Sequence, residues 1–342
     1  MRKLMNTLYV TSEDVFLGID GENVIVKRDD EILMRVPIHN IEAIVAFNYV
    51  GASPALMRKC AENGVSLSFF HGDRFCARIV GRENGNVILR KTQYRFSDDD
   101  SECLSISRNM ILGKVHNQRY VLERARRDYP LRLDYEKLSN ASGLLKQSLS
   151  YIKNCTSLDE LRGYEGEAAT VYFRVFDELI LQNKKDFVFN GRNKRPPLDN
   201  VNAMLSFAYS LLANECAAAA YSVGLDPYVG FLHRDRPGRQ SLALDIMEEL
   251  RAPIADRFVL SLINKKEIDA KGFNKTESGA VIMEDSLRKT VIQKWQETKN
   301  EQILHPFLNE KIPTGLLPYV QAMLLARYLR GDINAYPPFF KR

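Results

Sequence analysis

Glu165 is a candidate catalytic carboxylate because of the small residues that follow it in the sequence. If the segment is helical, Glu165 lies on one face with Ala168, Ala169 and Tyr172, whereas Glu167 points about 200° away. A carboxylate on a closely packed face needs a partner, either a cation or a metal. The alternative is a solvated glutamate near a helix start, where the helix dipole favours it. Both interpretations stay open on this segment alone.

A second candidate segment combines a histidine with two carboxylates. Ser241 is predicted to cap a helix on which Asp245 and Glu248 share a face, while Glu249 points elsewhere. His233 precedes a Pro-Gly turn, which can fold the imidazole back toward that helix. A histidine with two carboxylates is typical of Mg²⁺ or Mn²⁺ sites, and oxygen-rich ligation argues against structural zinc. A hydrogen-bonded structural histidine is the alternative.

Basic residues lie close in sequence to the second segment, so the small surplus of 48 Lys+Arg over 43 Asp+Glu is locally concentrated. The loop 184–197 holds five cations against one anion, with aromatic residues between them. Such cations replace counterions along a nucleic-acid backbone, and a nearby metal can act on one phosphate. Two solvated loops are the alternative. The candidate DNA-binding residues are Arg192, Lys194, Arg195, Arg234, Arg236 and Arg239.

Two kinds of element are predicted to position these residues, which gives an α+β fold with two domains. Residues 1–95 contain short β-branched and aromatic runs separated by turns, and one helix that starts at Ser53-Pro54 and ends at Asn63-Gly64. The acidic stretch 96–104 is predicted to be a linker. Residues 105–342 are predicted to form an all-helical domain, because apolar residues recur there every three or four positions. Its first helix should carry a basic outer surface of Arg108, Lys114, Arg119, Arg124, Arg126 and Arg127.

These patterns also give approximate element bounds. The predicted strands are 7–10, 15–19, 24–26, 32–36, 43–47, 65–70 and 75–80. The later helices are predicted at 158–181, 201–223, 242–250, 254–263, 286–299 and 316–329.

Composition excludes several classes of protein. With 342 residues, of which 45% are hydrophobic and 27% charged, the chain can bury a sizeable core, unlike a disordered chain. The five cysteines form no C-x-x-C pair, so neither a zinc knuckle nor a disulfide framework is supported, and a reducing, cytoplasmic location is expected. No apolar stretch approaches the ~20 residues that a membrane span needs, so no membrane partner is expected.

Several of these segments, taken in order, resemble the CRISPR-associated spacer-integration endonuclease family, and the type I-C kind most closely. The resemblance covers essentially the whole chain, and the combined order and spacing make it specific although each segment alone is weak. The matching segments are Leu4-Met5-Asn6-Thr7-Leu8-Tyr9-Val10 with the turn at 20–23, Tyr164-Glu165-Gly166-Glu167-Ala168-Ala169, residues 195–209, Gly230-Phe231-Leu232-His233 and residues 241–251.

The resemblance implies a β-strand domain that mediates homodimerisation and a helical domain that holds a divalent metal. The family's metal ligands fall on Glu165, His233 and Glu248, and a supporting carboxylate falls on Asp245. Members work with a small second adaptation protein, two dimers bridging its dimer, and insert short foreign DNA fragments into the CRISPR array. Metal-dependent DNA cleavage is also attributed to them.

The leading hypothesis is therefore a metal-assisted transesterification at a DNA phosphodiester, with Mg²⁺ or Mn²⁺ held by Glu165, His233 and Glu248. Asp245 would orient a ligand. Two alternatives stay open: a metal-dependent nuclease without integrase activity, and a non-catalytic DNA-binding scaffold.

Overall fold

The computed structural model describes residues 7–12, 14–41, 43–47, 50–71, 74–79 and 87–342. Residues 4–6 of the first family segment and Val80, the end of a predicted strand, lie outside these residues. The chain divides into two units: residues 1–85 with 288–300, and residues 86–287 with 301–342. The first is rich in strands and the second in helices, so the predicted α+β class is confirmed.

The first unit contains two sheets. In the four-stranded sheet the order is β1-β5-β6-β7, with the first three strands parallel and the last antiparallel. The three-stranded antiparallel sheet has the order β2-β3-β4. The strands are β1 Thr7–Val10, β2 Phe16–Asp20, β3 Asn23–Arg28, β4 Glu31–Pro37, β5 Ala43–Ala46, β6 Ser66–His71 and β7 Arg74–Ile79.

Helix α1 (Pro54–Asn63) makes the crossover between parallel strands β5 and β6. Its start is fixed by Ser53, whose hydroxyl accepts from the Leu56 amide. It ends at Gly64, which adopts φ +69°, a left-handed conformation that glycine adopts without a steric penalty. Leu56 and Cys60 then pack into a core of buried aliphatic side chains from both sheets. The helix predicted from Ser53-Pro54 and Asn63-Gly64 is thus confirmed.

The second unit is built around long helices. Helix α3 packs against α4, α5 and α7, and α6 packs against α7 and α10. The helices are α2 Val87–Ser97, α3 Asp100–Asp128, α4 Tyr135–Asn154, α5 Leu158–Arg174, α6 Asn200–Ser222, α7 Ser241–Leu250, α8 Arg257–Asn264, α9 Asp285–Lys299 and α10 Leu317–Leu329. From Arg288 onward, α9 belongs to the first unit, where the Lys299 ammonium donates to the Thr7 hydroxyl at 3.3 Å.

Three predictions about the helical domain and its boundary require correction. The stretch 96–104 is not a linker: it comprises the end of α2 and the first turn of α3, because the Asp99 carboxylate accepts from the amides of Ser101 and Glu102 and caps α3. The unit also begins at residue 86, so the predicted boundary at 95 falls inside α2.

The domain is mostly rather than entirely helical. Two short hairpins interrupt it, β8 Phe273–Lys275 with β9 Val281–Met283, and β10 Gln302–His305 with β11 Glu310–Pro313. Helix α4 had no counterpart among the predicted helices. None of the helices in the described part of the chain is long and apolar enough to cross a membrane.

Candidate metal and nucleic-acid site

Helix α5 carries Glu165 on its inner face. Ser157 caps the helix by accepting from the Glu160 amide. Ala168 and Tyr172, on the same face as Glu165, are buried, whereas Glu167 is exposed. The Glu165 side chain is 29% exposed, so it reaches from the packed face toward solvent. The structure confirms that Glu165 shares a helix face with Ala168 and Tyr172, as predicted.

His233 is held by Asp245 of α7. One oxygen of the fully buried Asp245 carboxylate accepts from the amides of Phe231 (2.7 Å) and Leu232 (3.1 Å). The other faces the His233 amide at 3.1 Å and the His233 ring nitrogen Nδ1 at 2.5 Å. An aspartate oxygen in that position takes Nδ1 as a donor, so in the neutral imidazole the lone pair is on Nε2. A Cβ at Gly230 would lie 2.7 Å from the Asp245 carboxylate. The close approach of the loop backbone to this carboxylate therefore requires glycine.

Gln93 of α2 holds the other end of the same loop. Its buried amide nitrogen donates to the carbonyls of Asp226 and Val229, each at 2.8 Å, and its oxygen accepts from the Asp226 amide at 2.9 Å. The loop that delivers His233 is therefore fixed at both ends. Nothing in the sequence analysis had singled out Gln93.

Ser241 does not cap α7, contrary to the sequence prediction. It is the first buried residue of the helix, and its hydroxyl donates to the Arg234 carbonyl at 3.3 Å. The Pro227 carbonyl instead accepts from the amides of Leu242 and Ala243, which are the donors that a cap would satisfy.

Glu248 lies one turn after Asp245 and is surrounded by positive charge. One oxygen is 3.0 Å from the Arg251 guanidinium and 4.0 Å from His233 Nε2, and the other is 2.8 Å from the Lys114 ammonium. Burial alone would raise the pKa of Glu248, but Arg251, Lys114 and His233 outweigh it and hold that pKa well below its usual range. Glu248 is therefore an ionised carboxylate inside the protein.

Lys114 is a member of this site that the sequence analysis missed. It was assigned to the basic outer surface of the first long helix, yet only 5% of its side chain is exposed, and its ammonium contacts both Glu165 and Glu248. Burial lowers its pKa, but the two carboxylates outweigh burial and raise it, so the ammonium stays charged. A detectable signal was present: Lys114 recurs at four- and three-residue spacing with the buried Met110 and Ile111.

The donor set suits a hard divalent cation. Two carboxylates and one imidazole nitrogen, the latter oriented by Asp245, are the ligand types of Mg²⁺ and Mn²⁺ sites. Within the described residues, however, no three His, Cys, Asp or Glu side chains are close enough to hold a metal as they stand. Between Glu165 and Glu248 the positive charge is supplied by Lys114.

Arg251 is held against Glu248 by an aromatic and acidic network. Its guanidinium lies 5.1 Å from the centre of the Tyr209 ring, and the Tyr209 hydroxyl donates to Asp256 at 2.5 Å. Tyr172 donates to the other Asp256 oxygen at 3.1 Å. Burial raises the pKa of Asp256 to about 6, although both tyrosines oppose it. Arg251 and Asp256 bound a π-helical turn, Arg251–Asp256, of the kind often found at functional sites.

The basic loop 184–197 divides into buried and exposed cations. Arg192 is mostly buried and donates to Asn202 (2.7 Å) and Ser206 (3.1 Å), with its guanidinium 5.3 Å from the centre of the Tyr209 ring. Lys194 and Arg195 are exposed. Although Lys194 is exposed by surface area, partial desolvation, and after it the charges of Arg251 and Arg192, lowers its pKa, while Glu248 opposes the shift. Lys194 therefore lies within electrostatic reach of both the cations and the carboxylate of the site.

The three arginines that follow His233 differ in exposure. Arg234 is exposed and forms a 3.4 Å ion pair with Asp159, and Arg236 is exposed as well. Arg239 is partly buried, which together with Arg236 lowers its pKa. Arg234 and Arg236 are therefore more accessible to solvent than Arg239.

Comparisons with known proteins agree with this architecture. The family model described as CRISPR associated protein Cas1 matches residues 8–297. A CRISPR-associated endonuclease Cas1 of Chlorobaculum tepidum is 48% identical over 344 residues, covering 100% of both chains. A casposase bound to integration product has a TM-score of 0.84 at 23% identity, covering 99% of this chain and 95% of that one. A Cas6-RT-Cas1–Cas2 complex has a TM-score of 0.80 at 20% identity, covering 100% of this chain and 37% of that one. At these identities the two structural similarities concern the fold alone.

Proposed function

The chain belongs to the Cas1 family of CRISPR-associated proteins, and from this premise we propose that it is a divalent-metal-dependent DNA endonuclease and integrase of CRISPR adaptation. Membership confirms the family resemblance drawn from the sequence segments, while the closer likeness to the type I-C kind stays a prediction. A relative of 48% identity is named an endonuclease, and a casposase of the same fold was solved with an integration product. Both names support the proposal.

One observation carries it: Glu165, Glu248 and His233, which are far apart in the sequence, lie around one small region in which Lys114 and Arg251 balance the two glutamates. Lys114 contacts both glutamates, and His233 Nε2 faces Glu248 at 4.0 Å. A structural ion pair does not need an imidazole whose other nitrogen is fixed by a buried aspartate. That arrangement is the one by which proteins orient metal-ligating histidines.

Each residue has a distinct task in this proposal. Glu165, His233 and Glu248 hold Mg²⁺ or Mn²⁺, which when bound supplies charge stabilisation to the attacked phosphodiester and its leaving oxygen. Asp245 keeps the proton on His233 Nδ1, so that Nε2 presents its lone pair. Arg251 holds one oxygen of Glu248 in place.

The reaction is a transesterification in which the protein forms no covalent bond. The 3′ hydroxyl of a DNA fragment attacks a phosphorus atom, a new phosphorus–oxygen bond forms, and the bond to the leaving 3′ oxygen breaks. The attacking hydroxyl loses its proton and the leaving oxygen gains one. With water as the nucleophile, the same site cleaves DNA.

We also propose the partners. The exposed cations Lys194, Arg195, Arg234 and Arg236 contact DNA phosphates, and the partly buried Arg239 adds to their positive charge. Arg192 contributes through the loop that it stabilises. A small second adaptation protein binds this chain, as Cas2 is named with Cas1 in a complex of the same fold. A cytoplasmic location is part of the proposal.

The first unit is the proposed homodimer contact. Strand β4 lies at the edge of its three-stranded sheet within the described residues, and Ile32, Leu33 and Met34 on it are 37%, 43% and 48% exposed. An exposed apolar edge strand favours pairing with another chain, and a second copy supplies a matching surface.

A joining assay tests the function. A labelled DNA fragment is incubated with a supercoiled plasmid that carries a CRISPR repeat, with and without the second adaptation protein and with Mn²⁺ or EDTA. The expected result is labelled plasmid in the presence of metal and its loss with EDTA. Cleavage without joining in every reaction would favour the nuclease alternative. Joining and cleavage that are both unchanged by EDTA would refute the metal-enzyme proposal, and their absence in every reaction would favour the scaffold.

A further inference from the structure

Lys114 occupies an unusual position for a lysine. It lies on α3 with 5% of its side chain exposed, and its ammonium contacts a carboxylate from α5 and another from α7. The neighbouring positions Gly113, Val115 and Asn117 are buried as well. A lysine ammonium is rarely buried this completely unless it is paired, because its desolvation is costly.

The charges around Lys114 sum to zero. Glu165 and Glu248 contribute two negative charges, and Lys114 and Arg251 contribute two positive charges. Without Lys114 the carboxylates of Glu165 and Glu248 would share a site with one counterion fewer, and they would repel each other. With Lys114 in place, the pair is assembled and neutralised before any metal arrives.

A divalent ion bound to the two oxygens that the ammonium contacts, one from Glu165 and one from Glu248, needs the position that the ammonium now takes. Lys114 contacts Glu248 on the oxygen that Arg251 does not contact, and it contacts Glu165 as well. The ammonium and a metal ion are like charges, so their simultaneous contact with the same oxygens is unfavourable. The lysine stem is long and flexible, which lets the ammonium move while α3 stays in place.

We propose that Lys114 is a positioning residue that stands in for the metal: it holds Glu165 and Glu248 together in the metal-free protein and leaves the space between them when the metal binds. This inference rests on the proposed metal site. It predicts that Lys114 competes with the metal for the carboxylates and does not assist its binding.

The test compares the wild-type protein with Lys114→Met, which keeps the length of the side chain and removes its charge. Mn²⁺ affinity is measured by isothermal titration calorimetry, and thermal unfolding is measured with and without Mn²⁺. Loss of a competing buried charge should tighten Mn²⁺ binding by about tenfold or more. The metal-free variant should unfold at a lower temperature than the wild type, and Mn²⁺ should remove most of that difference.

Lys137→Met is the matched control, because Lys137 forms a comparable 2.6 Å ion pair with Glu178 at an exposed site. Its Mn²⁺ affinity should equal that of the wild type. A merely structural role for Lys114 predicts lower stability with unchanged or weaker Mn²⁺ affinity, and either result overturns the inference. If neither the wild type nor Lys114→Met binds Mn²⁺, the proposed metal site fails together with it.

A crystallographic comparison keeps the inference testable if Lys114→Met does not fold. Wild-type crystals grown without metal should show the Lys114 ammonium in contact with both carboxylates. Crystals soaked in Mn²⁺ should show it in contact with at most one of them. An ammonium that still bridges both carboxylates beside a bound Mn²⁺ would contradict the displacement.

Discussion

Replacing Asp245 by asparagine changes one buried oxygen to an NH₂ group at almost constant volume. The carboxylate accepts from three backbone amides and faces His233 Nδ1 at 2.5 Å, with two of these contacts on each oxygen. An amide nitrogen cannot accept a hydrogen bond, so one orientation of the asparagine loses the contacts with the Phe231 and Leu232 amides. The other orientation loses the contact with the His233 amide and forces Nδ1 to accept. At about 1.5–3 kcal/mol for each bond to a charged group, the loss of one or two bonds should lower the free energy of unfolding by about 1.5–6 kcal/mol.

The substitution should also weaken metal binding. If the NH₂ group faces His233, Nδ1 must accept, and the proton moves to Nε2, the nitrogen that the proposed site uses. If it faces the amides of Phe231 and Leu232, the loop that carries His233 loses its anchor. Substitutions of groups that orient metal ligands typically cost about 10–100-fold in affinity, and we expect a loss in that range.

Thermal unfolding and Mn²⁺ calorimetry measure both effects. For a unit of this size, 1 kcal/mol corresponds to about 2–4 °C, so Asp245→Asn should lower the Tm by roughly 10 °C. Asp235→Asn, in the exposed part of the same loop, is the control and should change neither quantity. An Asp245→Asn protein with wild-type Tm and wild-type Mn²⁺ affinity would refute the role given to this carboxylate.

Four further predictions follow from individual contacts. Glu248→Gln removes a proposed metal ligand and should reduce joining and cleavage by about 100-fold or more in Mn²⁺, while circular dichroism stays unchanged; full activity would contradict the assignment. Burial raises the pKa of Glu249 to about 7, so the folded protein binds a proton that the unfolded chain releases, and stability should fall from about pH 5 to pH 8 by roughly 3 kcal/mol. Denaturant unfolding at both pH values should show a smaller fall for Glu249→Gln, and an equal fall would contradict the prediction. Lys194→Glu with Arg195→Glu should weaken DNA binding and reduce its salt dependence, as fluorescence anisotropy in a salt series can measure. Arg192→Ala should instead mainly lower the Tm, because its guanidinium is bonded within the protein; wild-type Tm would contradict this.

The sequence predicts the first unit well because its signals are local. A hydroxyl at Ser53, the proline after it and the glycine at position 64 each favour one backbone conformation. The alternation of β-branched residues with turns locates the strands to within a residue or two. The acidic stretch 96–104 shows the limit of this reasoning, because the same side chains that suit a solvated linker also cap a helix and favour its first turn.

The candidate site is predictable only in part. Glu165, His233 and Glu248 are predicted as metal ligands from residue type and family segments, and the structure links them through Lys114 and the contact of His233 with Glu248. Ser241 was misassigned as a cap because the carbonyl that accepts from the Leu242 and Ala243 amides of α7 belongs to Pro227. Every residue has a backbone carbonyl, so residue type does not reveal which one accepts. Gln93 was missed for the same reason, since its partners are two carbonyls and an amide of a distant loop.

Lys114 illustrates a more general difficulty. A lysine at the spacing of buried apolar residues has two interpretations: its four-carbon stem can lie along the core while the ammonium reaches solvent, or the ammonium can be buried against an anion. Local periodicity cannot distinguish them, because the deciding partners, Glu165 and Glu248, belong to other helices. Conversely, a carboxylate predicted on the inner face of α5 requires a cation somewhere in the chain. The sequence therefore indicates only that Glu165 needs a cation and that a buried Lys114 would need an anion, and the structure shows that the two residues meet these requirements for each other.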